Sequence, residues 1–275
     1  MTAASEVQPQ TVLAFDSLAA NYDNLFTRSM IGRAQRDAVW DALFDTFEPG
    51  SHILELNCGT GEDALFLAQH DVSVVACDAS EKMIQTARHR MQTEDPDAPI
   101  EFELLPTEDL WKLRPSERFD GAFSNFSGLN CVADLNRTAR DLAGLISMGA
   151  SVLVCLSTRF CLSEIVWYLL HGQVRKAFRR SSGISTAKVG EFTVQVQYPT
   201  LRAMKRMFSP YFVSRSCIGI GVAVPPSYLE PVMHKHPRVL NLLRQIDKCI
   251  SRLPWFRVIG DHMLIHFERA DERCL

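Results

Sequence analysis

The sequence predicts an α/β fold: a doubly wound, mostly parallel sheet of seven strands, with helices on both faces and a helical, lid-like insertion. Three observations carry that prediction. Short apolar runs alternate with helical segments from His52 to Ser157. The runs are almost continuously apolar, the pattern of strands covered on both faces, whereas a strand with one wet face alternates. The first run leads into a glycine-bearing turn, Asn57 to Gly61, directly followed by a helical segment. The 275 residues suffice for one large domain with a smaller lid.

The elements follow in order. Residues 1–10 read as a polar, mobile tail. Val12 to Phe26 and Gly32 to Phe47 carry apolar residues at helical spacing, and Pro49-Gly50 stops the second. His52 to Leu56, Val72 to Cys77, Ile100 to Leu105, Phe119 to Ser124 and Ala150 to Ser157 are five strands. Between them lie helices over Glu62 to Gln69, Ser80 to Met91 with Ser80 as N-cap, and Asp134 to Ser147. After Thr158 the rhythm breaks. Phe160 to His171 is a helix, followed by a basic stretch, an alternating segment over Phe192 to Tyr198, and a helix over Pro199 to Phe208. Phe212 to Val224 is a sixth strand, residues 225–258 a proline-bounded helical insert, and His262 to Glu268 a seventh strand.

Composition narrows the function classes. Net charge is −3, so no overall basic field calls for a nucleic acid. Met1 to Gln10 lacks the apolar region of a signal peptide, and the longest apolar run, Ala150 to Leu156, falls far short of the roughly 20 residues needed to span a bilayer. The eight cysteines, Cys274 among them, are scattered without a C-x-x-C pair, which points to reduced thiols and a cytoplasmic protein. No Cys/His cluster has metal-ligand spacing, so no metal is expected.

The chemistry is concentrated at the turn. Gly59 and Gly61 permit positive φ and close approach of a ligand to the backbone. The helix beyond offers free N–H groups. Asp78 ends the next strand, where a carboxylate in a doubly wound fold can accept both hydroxyls of a ribose. A dinucleotide brings a pyrophosphate, for which Glu55, Glu62 and Asp63 make a poor cradle; a sulfonium ligand is favoured by those acids. Gly59-Thr60-Gly61-Glu62-Asp63-Ala64 nevertheless satisfies G-x-G-x-x-A, so an NAD(P)-dependent oxidoreductase stays open.

Glu55-Leu56-Asn57-Cys58-Gly59-Thr60-Gly61 resembles the first motif of class I S-adenosylmethionine (SAM)-dependent methyltransferases, E/D-x-G-x-G-x-G, with Asn57 in place of its first glycine. Asn tolerates positive φ better than most residues. Asp78 resembles the family's ribose-binding acid. Phe15-Asp16-x-x-Ala19-x-x-Tyr22-Asp23 resembles its N-terminal helix, and Phe119 to Phe126 its fourth-strand motif. The matches cover residues 12–158 in order. The resemblance implies a Rossmann-like core whose last strand inserts antiparallel, with SAM as methyl donor and S-adenosyl-L-homocysteine as product. It implies cofactor contacts at Tyr22, Glu55, Asn57, Cys58, Gly59, Gly61, Asp78, Ala79, Met83 and Asn125. The acid expected after the third strand has no match, since Pro106 stands near that place; Thr107 and Glu108, or backbone groups, remain for the adenine. The resemblance closes Tyr22 over the methionine end of SAM and places Asn125 near the transferred methyl, which makes both candidate catalytic residues.

The division that follows is an N-terminal helical lid segment (1–30), a SAM-binding core (31–158), acceptor-binding inserts with the sixth strand (159–258), and the last strand (259–275). The inserts are rich in Phe, Trp, Tyr, Met and Leu, which suggests a small lipophilic or aromatic acceptor. A non-catalytic SAM-binding partner subunit is the other reading. A base is poorly marked: Tyr228, His234 and His236 are candidates, and His234 is carried forward as the catalytic one. His262 and His266 bracket the last strand without an assigned role. The basic run Arg175, Lys176, Arg179, Arg180 follows an apolar cluster from Phe160 to Leu170. It reads either as a solvated face or, through residues 160–180, as a peripheral contact with a membrane. Oligomeric state is not marked.

Overall fold

A computed structural model describes residues 4–209 and 211–270. Helices α1 (Ala4–Tyr22) and α2 (Met30–Thr46), joined by a π-helical turn, precede β1 (His52–Leu56). The alternation then runs α3 (Glu62–Ala68), β2 (Ser73–Asp78), α4 (Glu81–Glu94), β3 (Ile100–Leu104), β4 (Phe119–Ser124), α5 (Leu135–Leu145) and β5 (Ile146–Ser157). Helices α6 (Leu162–Leu170) and α7 (Val174–Ala177), strands β6 (Ile184–Val189) and β7 (Phe192–Gln197), and α8 (Leu201–Phe208) follow. The chain closes with β8 (Phe212–Ile220), α9 (Glu230–Met233), α10 (Pro237–Ile250) and β9 (His262–Arg269).

Seven strands form one sheet in the order β3-β2-β1-β4-β5-β9-β8. The first five pair in parallel, and β9 runs antiparallel to both β5 and β8. The apolar runs are continuous because successive residues feed opposite cores. Leu54, Leu56, Val75 and Cys77 join the core under α5 and α8, while Ile53, Val74 and Ala76 join the core under α2, α3 and α4. The order reverses between β1 and β4, so the carboxyl ends of β1, β2 and β4 open a crevice there.

Four expectations change. Helix α1 starts at Ala4, where a mobile tail is predicted; Ala4, Glu6, Gln8 and Gln10 are adequate helix formers. Residues 1–3 of that tail, and Cys274, lie outside the described residues. The stretch after α7 holds an unforeseen strand, β6, which pairs with β7 as a separate hairpin closed by Gly190-Glu191. Strand β5 begins at Ile146, so α5 is shorter than predicted. The sixth strand ends at Ile220, and the chain turns at Gly221 with φ 63°.

Candidate functional site

The turn after β1 is built from left-handed residues: Asn57, Gly59 and Gly61 have φ of 57°, 54° and 75°. A Cβ on Gly59 would meet no atom within 4 Å, leaving open space for a ligand against the backbone. Gly61 differs: its Cβ would lie 2.9 Å from Ala87 and 3.0 Å from Phe102, so it is there to seat the turn on α4 and β3. Asn57 does more than tolerate its backbone. Its Oδ1 accepts from the hydroxyls of Thr107 and Ser124, both at 3.3 Å, tying together the segments after β1 and β3 and the end of β4.

Asp78 stands opposite. Its Oδ2 accepts from Gly59 N–H at 2.9 Å and its Oδ1 from Ser80 N–H at 2.8 Å. Each oxygen keeps a further lone pair. Burial raises its pKa above the usual 3.8, and the backbone N–H groups oppose that shift.

Helix α1 roofs this crevice and is latched once along its length and once at the π-helical turn that follows it. Asp16 accepts from Ser80 Oγ at 2.5 Å, and Asp23 accepts from Thr60 Oγ1 at 2.7 Å and pairs with Arg90. The two acids of the N-terminal motif therefore fasten the roof. Beneath it is a cavity of about 400 Å³, within the usual range for small-molecule sites. Its walls include Tyr22, Asn57, Cys58, Gly59, Asp78, Ala79, Met83, Thr107, Glu108 and Asn125. One apolar wall comes from the hairpin, whose alternate residues Ala187, Val189, Val194 and Val196 face inward. The charged lining residues are Glu62, Asp63, Asp78 and Glu108 against Arg36 alone. That excess of acid suits a cationic ligand and opposes a pyrophosphate.

Two expected contacts do not reach the cavity. Gly61 is spent on packing. Glu55 is 1% exposed and lies outside the lining, because on β1 it shares the face of Ile53, toward α2 and α3. Its Oε2 has no hydrogen-bond partner. Burial, and then the Asp63 charge, push its pKa well above 4.5. A carboxyl raised in this way holds its proton in the folded state, so its stabilisation is lost as pH rises from about 4.5 through the raised folded value. Glu55→Gln is therefore expected to remove that decline and raise the melting temperature at neutral and alkaline pH, as a thermal-denaturation series in pH would register.

The cavity wall includes a network the sequence did not mark. Arg36, 3% exposed, pairs with Asp63 at 2.6 Å. Asp63 also accepts from Trp40 Nε1 at 2.6 Å and Asn125 Nδ2 at 3.0 Å. Asn125 is thus anchored by its amide, and its Oδ1 accepts from Phe126 N–H. The Tyr22 hydroxyl is pushed up to about 12 by burial, so it is a neutral donor at ordinary pH.

A second cavity of about 320 Å³ adjoins the first, and Tyr22, Phe126 and Ser157 line both. His262, Asp261, Arg179, Arg180 and Tyr228 contribute to it. This corrects two expectations. His234 is exposed at the end of α9 and lines neither cavity; the short insert helix carries it out to solvent. The basic run is not one solvated face, since Arg180 is 7% exposed and pairs with Glu164 and Asp261, and Arg179 pairs with Glu164.

Residues 53–149 match the model of the family described as "Methyltransferase domain". Over that span the sequence is similar to a methyltransferase domain. A demethylmenaquinone methyltransferase of Symbiobacterium thermophilum is 30% identical over 148 residues, which are 52% of this chain and 56% of that protein. A 2-phytyl-1,4-naphtoquinone methyltransferase of Trichormus variabilis is 29% identical over 148 residues, 51% of this chain and 61% of that protein. The chain therefore spans little more than half the length of these curated relatives. Among solved structures, the complex of DhpI with S-adenosylhomocysteine shares the fold, with a TM-score of 0.59 and 13% identity over 99% of this chain and 100% of that one.

Proposed function

We propose that this protein is a SAM-dependent methyltransferase acting on a small lipophilic acceptor with an aromatic head, of the quinol kind. The observation that carries the reading is the Asp78 carboxylate, facing open space beside Gly59 in an acid-rich cavity that borders a second, aromatic-lined one. In this reading Asp78 accepts the ribose hydroxyls. Asn57, Cys58 and Gly59 face the amino-acid end, Ala79 and Met83 flank the ribose and base, and Thr107 and Glu108 meet the adenine. Tyr22 and Asn125 stand where the cavities meet and orient the reacting groups; their service is alignment and exclusion of water. SAM supplies a methyl group on a sulfonium, which leaves as a neutral thioether. The relatives named for quinone methylation support the acceptor class. The test is incubation with methyl-labelled SAM and reduced 1,4-naphthoquinone. Label in the organic product supports the reading, and SAM binding without transfer across a panel of quinols and phenols favours a non-catalytic SAM-binding subunit.

In this reading residues 4–30 form the roof, the hairpin walls the SAM cavity, and Arg179, Arg180 and Pro226 to Tyr228 wall the acceptor side. No described helix is long and apolar enough to cross a membrane. The seven free cysteines among the described residues suit a reducing compartment such as the cytoplasm. The segment 160–180 keeps a surface role in part. Leu162, Val166, Leu169, Leu170, Val174 and Phe178 are exposed, Leu170 by 80%, and Arg175 and Lys176 stand beside them. We infer that this face rests on an anionic lipid surface, from which a lipophilic acceptor would enter. Co-sedimentation with phosphatidylserine vesicles is expected for the wild type and lost in Leu170→Asp/Val174→Asp; equal recovery of both would contradict the contact.

A further inference from the structure

His262 sits in the smaller cavity at the start of β9 and is 7% exposed. Its Nε2 lies 3.1 Å from Ser127 Oγ, and Ser127 Oγ lies 2.6 Å from Ser157 Oγ. Ser157 lines both cavities. On the other side of the ring, Nδ1 is buried without a hydrogen-bond partner and faces Asp261 Oδ2 at 3.6 Å. Asp261 is held as an anion by Arg180, at 2.9 Å, and accepts from Gln35 at 3.3 Å.

The backbone is strained to make this chain. Phe126 and Ser127 are consecutive non-glycine residues at φ 42° and 69°. Such positions carry a conformational cost and cluster at functional sites. Here they turn the loop after β4 so that Ser127 reaches a histidine 135 residues away. Beside Arg179, Arg180 and Ser227, the remaining wall is aromatic and aliphatic, with Phe26, Phe126, Leu18, Leu25, Pro226 and Tyr228.

We propose that Asp261, His262, Ser127 and Ser157 form a proton relay that deprotonates a phenolic or hydroquinone O–H of the acceptor bound in the smaller cavity. The proposal rests on the methyltransferase reading above and names its base and acceptor chemistry. The acceptor's O–H bond breaks and its proton goes to Ser157 Oγ. The Ser157 proton passes to Ser127, and that of Ser127 to His262 Nε2. Each hydroxyl loses one proton and gains one, while the electron pair stays on the acceptor oxygen. That pair forms the bond to the methyl carbon as the carbon–sulfur bond breaks, leaving its own pair on sulfur. If the adjacent ring carbon is methylated instead, the ring hydrogen it carried moves back to the oxygen, so one proton leaves by the relay in either case. Asp261 faces the resulting imidazolium.

The pH dependence follows from the groups around the ring. Burial lowers the His262 pKa below 6.5, Arg180 lowers it further and Asp261 opposes. Glu164 of α6 is bound to Arg179 and Arg180, so those charges are paired. Tyr228 and Tyr22 face the same cavity as phenols whose pKa values lie above the usual one. The imidazole is thus neutral and able to accept a proton at neutral pH, and activity should fall as pH drops through its lowered pKa.

The experiment compares wild type, His262→Gln, Ser127→Ala and Asp78→Ala. Calorimetry should find SAM affinity of His262→Gln and Ser127→Ala within twofold of wild type, with Asp78→Ala weakened. Methyl transfer to 1,4-naphthohydroquinone should fall about 100-fold in His262→Gln, a typical loss for a general base, and its acid limb should vanish. Ser127→Ala keeps the imidazole but should lose about tenfold or more. Independently of SAM, the ring nitrogens of His262 in ¹⁵N-histidine-labelled protein should report an Nδ1–H tautomer and shift on adding oxidised 1,4-naphthoquinone. Unchanged transfer and pH profile in His262→Gln, loss of its SAM affinity, or an imidazole that ignores the quinone would each overturn the relay. If wild type binds no SAM, the donor assignment fails, and the quinone titration of His262 still decides the relay.

Discussion

Replacing Arg36 with methionine is expected to destabilise the protein by about 3–5 kcal/mol, the loss typical of breaking a buried ion pair on one side. Asp63 is 4% exposed, and without the guanidinium its carboxylate is left in the protein interior with only Trp40 and Asn125 as donors. Methionine fills much of the same volume, so the packing loss is small beside the charge effect. The guanidinium also lies over the rings of Phe26 and Phe126, at 5.6 and 4.9 Å, and those contacts go with it. Pairing Arg36→Met with Asp63→Asn, which removes the stranded charge but keeps an acceptor, should be milder than Arg36→Met alone. Denaturant unfolding measures both, and a single variant within 1 kcal/mol of wild type would show that the pair contributes little.

Asp78→Ala is expected to weaken SAM binding by about 100-fold, equivalent to about 2.7 kcal/mol. Hydrogen bonds to a charged partner contribute about 1.5–3 kcal/mol each, and two ribose hydroxyls would be lost. Asp78 also holds Gly59 and the start of α4 through Ser80, so the turn itself loosens in the variant. Asp78→Asn keeps one carbonyl oxygen and should fall between the two. Because burial raises the Asp78 pKa, SAM affinity should begin to fall on acidification at a pH above the usual 3.8. Calorimetry across pH checks both the variants and that onset.

The parts of the site legible in the sequence are those written locally. The run from Ile53 to Asp63 and the acid at Asp78 mark the turn, and Asn57 does adopt the left-handed conformation its type allows. The antiparallel last strand follows from the resemblance and is present as β9. What was missed depends on contacts distant in sequence. His262 gains its surroundings from Ser127, and Arg180 is taken out of solvent by Glu164 and Asp261, the latter 81 residues on. Strand β6 hid because Ile184 to Val189 is half exposed and has no continuous apolar run. Glu55 misled by proximity: one residue's alternation on β1 sends it away from the cavity that its neighbours border.

The cavity beneath α1 is expected to hold SAM with its reacting end toward the adjoining one. A crystal structure grown with S-adenosylhomocysteine tests it most directly. The expected result is ribose hydroxyls bonded to Asp78, the adenine near Thr107 and Glu108, and the sulfur nearest the junction at Tyr22, Asn125 and Phe126. Density outside this cavity, or a sulfur turned away from that junction, would contradict it.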